Sequence, residues 1–218
     1  MTAQSFVDTE FIVRTIAETA VEKEQEFCDL DAVVGDGDMG YSLARGFEMV
    51  LSSWDTFDRS DAGAFLRSVA MVISARIGGT SGPIWGTAFL RAAAVAKGRQ
   101  ELTGADAVAM LRAAIEGIMV RGGAAVGDKT LLDVLVPVAD ALQQANTDGR
   151  DASSAVEIAA KTARAAAEAT SALTARRGRA SYSGERSIGS PDAGAMVIAI
   201  ILERANAQWL DRRPRITP

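Results

Sequence analysis

Apolar residues recur at three- and four-residue spacing along most of this chain, as at Phe11, Ile12, Ile16, Ala20 and Val21, which lines one face of a helix. The pattern returns at roughly 40–52, 60–77, 84–97, 104–121, 129–146, 152–173 and 193–212, in stretches rich in the good helix formers Ala, Leu, Glu, Arg and Met. About eight helices are therefore predicted. Two short apolar runs, Ala32-Val33-Val34 and Met71-Val72-Ile73, invite a strand reading, but the first is too short and the second sits in a longer helical window. The Ala-rich stretch 152–172 keeps an apolar stripe of Val156, Ile158, Ala159 and Ala163, which points to close helix packing rather than low complexity. Short loops between successive helices favour an all-α antiparallel barrel or bundle.

Four glycine-bearing segments break the periodicity: 29–40, 78–86, 122–130 and 178–194. They hold most of the polar residues that could do chemistry. No Pro/Gly/Ser-rich linker divides the chain, so residues 1–218 are expected to form one domain.

Composition narrows the chemistry. Basic residues number 23 and acidic residues 28, for a net charge of -5, and no basic stripe could track a phosphate backbone, so nucleic acid is not an expected partner. The single Cys28 can make no internal disulfide; Met1 to Gln4 do not begin a signal peptide; and the longest apolar run, 193–202, falls short of the roughly 20 residues a membrane span requires. A cytoplasmic protein is the expectation. The chain has no histidine, which excludes Ser-His-Asp catalysis, histidine-ligated zinc and a phosphohistidine on this chain.

Two motifs mislead. Gly35-x-Gly37-x-x-Gly40 spells a dinucleotide fingerprint, yet its intervening Asp36 and Asp38 would repel a pyrophosphate without a cation between, and no βαβ unit surrounds it. Gly122-x-x-x-x-Gly127-Asp128-Lys129-Thr130 is one inserted residue away from a phosphate-binding loop, and it follows a helix instead of a strand. A calcium EF-hand fails because the twelfth position from Asp36 is Phe47.

Three constellations remain. Asp31, Asp36 and Asp38 lie within eight residues of a stretch that Gly35, Gly37 and Gly40 allow to curl, and hard oxygen ligands suit magnesium; an acidic, solvated turn is the other reading. The segment Gly78-Gly79-Thr80-Ser81-Gly82-Pro83 precedes a helix and suits an anion; it also fits an ordinary helix start with Ser81 as N-cap and Pro83 in the first turn. Arg179 and Arg186 are candidate phosphate forks, with Arg186 equally able to pair with Asp192 or Glu185 and hold the loop. Asp128 and Lys129 also read as an exposed helix start, with Asp128 as its cap.

Taken together, Leu30-Asp31-Ala32 with Gly35-Asp36-Gly37-Asp38, Gly79-Thr80-Ser81-Gly82-Pro83, Gly127-Asp128-Lys129-Thr130 and Gly178-Arg179-Ala180-Ser181-Tyr182 through Gly184-Glu185-Arg186-Ser187-Ile188-Gly189 resemble the DhaL family, the nucleotide-binding subunit or domain of dihydroxyacetone kinases. The motifs stand in family order over residues 30 to 195. The resemblance implies an eight-helix barrel with a nucleotide site in the loops at one end. It implies two magnesium ions on Asp31, Asp36 and Asp38, phosphate contacts from Thr80 and Ser81, and an adenine border at Gly122 and Leu131. Met39, Gly40 and Ser42, together with Arg179 and Asp192, would complete the site for ADP or ATP. The ketose would be held by a separate DhaK-like subunit through a histidine there. The donor would be ATP, or a bound ADP recharged by a phosphotransferase-system protein, and a homodimer is also allowed for. No catalytic side chain is assigned beyond assistance from Arg179.

The chain departs from the family pattern at Met39 and in Gly189-Ser190-Pro191-Asp192, where histidines are usual. That leaves open a kinase of another keto-sugar, such as a tetrulose. A nucleotide-binding regulatory module without transfer activity is the alternative from another class.

Overall fold

A computed structural model describes residues 4–99 and 101–212. The expectations placed on Met1 to Ala3 and on the ends of the 1–218 span lie outside the described residues. Among those described there are nine α-helices and no strand: α1 Gln4–Glu22, α2 Glu24–Ala32, α3 Met39–Ser52, α4 Ala62–Arg76, α5 Ser81–Ala96, α6 Gly104–Gly122, α7 Leu132–Thr147, α8 Ala152–Ala169 and α9 Ala193–Asp211. Short 3₁₀ turns at Trp54–Thr56, Thr170–Ala172 and Arg179–Ser187 complete the path.

Eight of the helices close a ring. Each of α3 to α9 packs on its successor except that α9 returns to α1, and α1 packs on α3; α2 rests against α3 and α9. Neighbours run antiparallel, as the cross-links show. In the α1/α9 pair, Asp8 meets Arg212 at 2.9 Å and Glu22 meets Arg204 at 2.6 Å. Asp61, at the start of α4, accepts from Gly98 N just beyond α5.

The up-and-down path divides the loops between two poles. Segments 33–38, 77–80, 123–131 and 170–192 lie at one pole; 53–61, 97–99, 101–103 and 148–151 lie at the other. All four glycine-bearing segments therefore share a pole, although nothing in their separate sequences requires it.

The ring encloses side chains. The largest core cluster joins α1, α3, α4, α5 and α9 through fully buried Phe47, Phe65, Val50, Val69 and Ile73, together with Phe27 of α2, and edge-to-face contacts link Phe65 to Phe6, Trp54 and Phe57. A second cluster joins α7, α8 and α9, where buried Ala159, Ala163 and Ala167 let α8 lie close to its neighbours. Trp85 of α5 touches both clusters.

The predicted helices hold within a few residues, with two differences. The first periodic stretch divides at Lys23, and a further helix, α2, runs on through Asp31 into what reads as loop. The second is at α5, which starts at Ser81, so Gly82, Pro83 and Gly86 are helical. Proline is tolerated in a first turn because its missing N–H would have no partner there, and a Cβ at Gly82 would fall 2.1 Å from Ile77 O.

Candidate functional site

Asp31 projects from the last turn of α2, and Asp36 and Asp38 from the tight turn between α2 and α3. The turn folds back on the helix it leaves. Gly35 N donates to Asp31 O at 2.6 Å and Gly37 N, at φ 76°, donates to Asp31 Oδ2 at 2.9 Å. A Cβ at Gly35 would fall 2.4 Å from Asp31 Oδ1, so glycine is required for the carboxylate to lie across the turn. One oxygen from each of Asp31, Asp36 and Asp38 lies within 4.8 Å of the others.

Three carboxylates this close repel one another unless a cation stands among them. The guanidinium of Arg179 pairs with Asp36 and reaches Asp38 at 3.6 Å. The cluster thus draws a positive charge, and its hard oxygen donors on a glycine-bearing turn fit magnesium.

Immediately after the aspartates α3 begins. Its N-cap residue, Asp38, makes no side-chain capping bond. Met39 packs against the largest core cluster, and Ser42, half-buried, donates its N–H to Asp38 O at 2.9 Å. Gly40 is a point of close helix approach, since a Cβ there would fall 2.1 Å from Glu24 O and 2.6 Å from Cys28 N of α2.

At α5 the N-cap residue is Thr80, not Ser81, and it too makes no side-chain capping bond. Thr80 is exposed and Ser81 half-buried at a helix start where Gly82 N donates to Gly78 O at 3.4 Å and no side chain caps the turn against an anion. Gly122, the last residue of α6, lies beside Ile84, and Leu131 packs with Ile84 in a small cluster. Leu131 also lies against Gly194 beside Asp192. Asp192 caps α9 by accepting from Ala195 N at 2.7 Å. Burial, opposed by that hydrogen bond, and the charges of Asp133 and Asp31 push its carboxyl up to about 6.

The 123–131 segment differs most from expectation. Asp128 does not cap α7; it accepts from Ala125 N and from Arg177 at 3.0 Å each, contacts that hold its carboxyl below the usual range, led by the backbone N–H. Asp133, inside α7, gathers the segment instead, accepting from Gly127 N at 2.5 Å and Thr130 N at 2.7 Å. Lys129 is 1% exposed, and it stands at φ 61°, the left-handed region. Its Nζ donates to the carbonyls of Leu173, Ser187 and Ser190 at 3.1, 2.6 and 2.6 Å. A lysine between two glycine-bearing turns reads as surface; only the fold brings in acceptors from 44 to 61 residues away.

The 170–192 segment crosses to the aspartates. Ser183 Oγ donates to Val34 O at 3.2 Å, close to where Arg179 meets Asp36. Arg186 forms no ion pair with Asp192 or Glu185 among the described residues, so neither holds the loop through it.

Comparison with known proteins agrees with this arrangement. The model of the DAK2 domain matches residues 33–207. The chain is 40% identical over 174 residues to the PEP-dependent dihydroxyacetone kinase, ADP-binding subunit DhaL, of Escherichia coli, covering 80% of this chain and 83% of that protein. It is 38% identical over 198 residues to L-erythrulose 1-kinase of Mycolicibacterium smegmatis, covering 88% of this chain and only 34% of that longer protein. The dihydroxyacetone kinase of C. freundii, in complex with AMP-PNP and Mg2+, shares the fold with a TM-score of 0.71 at 22% identity, over 95% of this chain and 34% of that one. By the extent of the DAK2 match and the identity to a relative of similar length, this chain belongs to the DhaL family.

Proposed function

We propose that this chain is the nucleotide- and magnesium-binding subunit of a dihydroxyacetone-type kinase acting on a small ketose in the cytoplasm, with residues 1–218 forming one nucleotide-binding domain. The observation that carries the reading is the convergence of Asp31, Asp36 and Asp38 within 4.8 Å, at the pole where α3 and α5 begin without side-chain caps.

In this reading the three aspartates hold two magnesium ions, which neutralise charge on the nucleotide phosphates. Thr80 and Ser81 offer hydroxyls and the N–H of Ser81 to phosphate at the start of α5; in the first turn of α3, Met39 and Gly40 offer N–H groups and Ser42 its hydroxyl. Gly122 and Leu131 border the adenine, on the apolar side given by Ile84. Arg179 supplies a bidentate cation to the phosphates in place of the aspartates it otherwise pairs with. Asp192 fixes the start of α9 beside Leu131. Phosphoryl transfer needs chiefly positioning and charge stabilisation, which these groups provide without a nucleophile on this chain.

The ketose is held by a separate DhaK-like subunit. The donor is ATP, or ADP kept in place and recharged by a phosphotransferase-system protein. The names of the E. coli and M. smegmatis relatives support a ketose acceptor of three or four carbons.

The test is to purify the protein, release and identify its nucleotide, and follow turnover with a partner subunit and either dihydroxyacetone or erythrulose. Magnesium-dependent binding of ADP or ATP is expected. Protein that binds neither nucleotide in saturating magnesium would sink the proposal.

A further inference from the structure

Lys129 is placed as a phosphate-binding loop would place its lysine in sequence, and the structure gives it a different task. Its residue is 1% exposed and its three N–H donors are all used by backbone carbonyls, so none is left to point at a nucleotide. The carbonyls belong to the two ends of one excursion: Leu173 where the chain leaves the barrel, Ser187 and Ser190 where it returns to α9. Between them the chain carries Arg179 to Asp36 and Asp38, and Ser183 to Val34 O. Two further bonds tighten the same neck: Ala175 N donates to Ser187 Oγ at 2.9 Å, and Arg176 N donates to Asp128 O at 3.0 Å. An ammonium desolvated among carbonyls is tolerated where every donor is satisfied, and its loss would take this donor from three carbonyls, one in a buried bond and two in part-buried ones. The backbone at Lys129 stands at φ 61°, in the left-handed region that a non-glycine residue rarely adopts.

We propose that Lys129 is a positioning residue of the nucleotide site, a buried cinch that ties the neck of the 173–190 loop and thereby aims Arg179 at the aspartate cluster. The inference rests on the nucleotide-binding reading for the role of Arg179, and on the hydrogen bonds alone for the cinch.

The test compares Lys129→Met, Arg179→Ala and the double variant by hydrogen exchange and by magnesium-ADP titration of the full chain. Exchange in 174–190 should accelerate in Lys129→Met while α4 stays protected, and affinity for magnesium-ADP should fall about tenfold, as for loss of a group that orients a ligand-binding side chain. Arg179→Ala should weaken binding in the wild-type background and add nothing further to Lys129→Met. Lys129→Gln, which retains two donors, should lie between wild type and Lys129→Met, and it carries the comparison should the methionine variant not fold. Unchanged exchange in 174–190, or an equal effect of Arg179→Ala in both backgrounds, overturns the proposal. Wild-type protein that binds no magnesium-ADP would remove the functional reading, while exchange would still decide whether Lys129 ties the loop.

Discussion

The two poles of the barrel treat their helix starts differently. At the pole opposite the aspartates, α4, α6 and α8 are each capped by a side chain: Asp61 accepts from Ala64 N, Thr103 and Asp106 form a reciprocal capping box, and Asp151 accepts from Ser154 N. At the glycine-bearing pole, α3 and α5 begin without such a bond, whereas Thr130 Oγ1 accepts from Leu132 N at 3.2 Å at the start of α7 and Asp192 caps α9. A cap contributes about 1 kcal/mol, so the starts of α3 and α5 forgo a stabilisation that α4, α6 and α8 take. The uncapped first turns of α3 and α5 are where an anion could be received. In the proposed reading, the uncapped helix starts lie on the side of the barrel where the nucleotide binds.

Substitutions can break or sharpen that contrast. The largest effect is expected from Asp36→Asn: calorimetric titration should show magnesium-dependent nucleotide affinity down about a hundredfold, close to 2.7 kcal/mol, with the melting temperature nearly unchanged. Unaltered affinity would show that the cluster is an acidic turn and that the open pole lacks its central feature. Gly40→Ala comes next, because the added methyl meets the backbone of α2; overpacking there should cost about 1–3 kcal/mol in denaturant unfolding. Asp61→Ala should cost about 1 kcal/mol and leave nucleotide binding intact, whereas Thr80→Ala should change stability by a few tenths of a kcal/mol and act on affinity instead. Matching stability losses for those two would erase the distinction between the poles.

The subtlest effect concerns pH. The carboxyl of Asp192 is raised from 3.8 to about 6 in the folded protein, so the folded state holds its proton more tightly than the unfolded one. The stability linked to that proton is fully present below pH 3.8 and is lost as pH rises through 6. Asp192→Asn keeps an N-cap and removes the titration, so melting temperature against pH should fall less between pH 4 and 6 in the variant than in wild type.

Helices were legible because their evidence is local. Periodicity placed α3, α4, α6 and α9 within two residues and overran the end of α8 by four, where the chain passes into a 3₁₀ turn at Thr170–Ala172. Asp31 read as loop because its helix is nine residues long and its neighbour Gly35 signals a turn, yet the helix persists by packing Phe27 into the core. The aspartates and Arg179 were legible as candidates through their spacing and family pattern. The resemblance set them in one site, but the direct pairing of Arg179 with Asp36, 143 residues away through a loop tied by Lys129, has no local pattern to announce it. That lysine left no trace, because a buried cation is recognised by its acceptors and these come from distant carbonyls.

The closed ring also dictates how this barrel can be joined to anything else. Asp8 and Arg212 touch, so both ends of the described chain emerge side by side at the capped pole. A module fused to either end is tethered at the far side of the molecule from the aspartates, and α1, at 19 residues, puts about 28 Å of barrel between the attachment point and the site. A tag there leaves the glycine-bearing loops unencumbered. A catalytic partner fused there needs a linker long enough to climb the barrel's height.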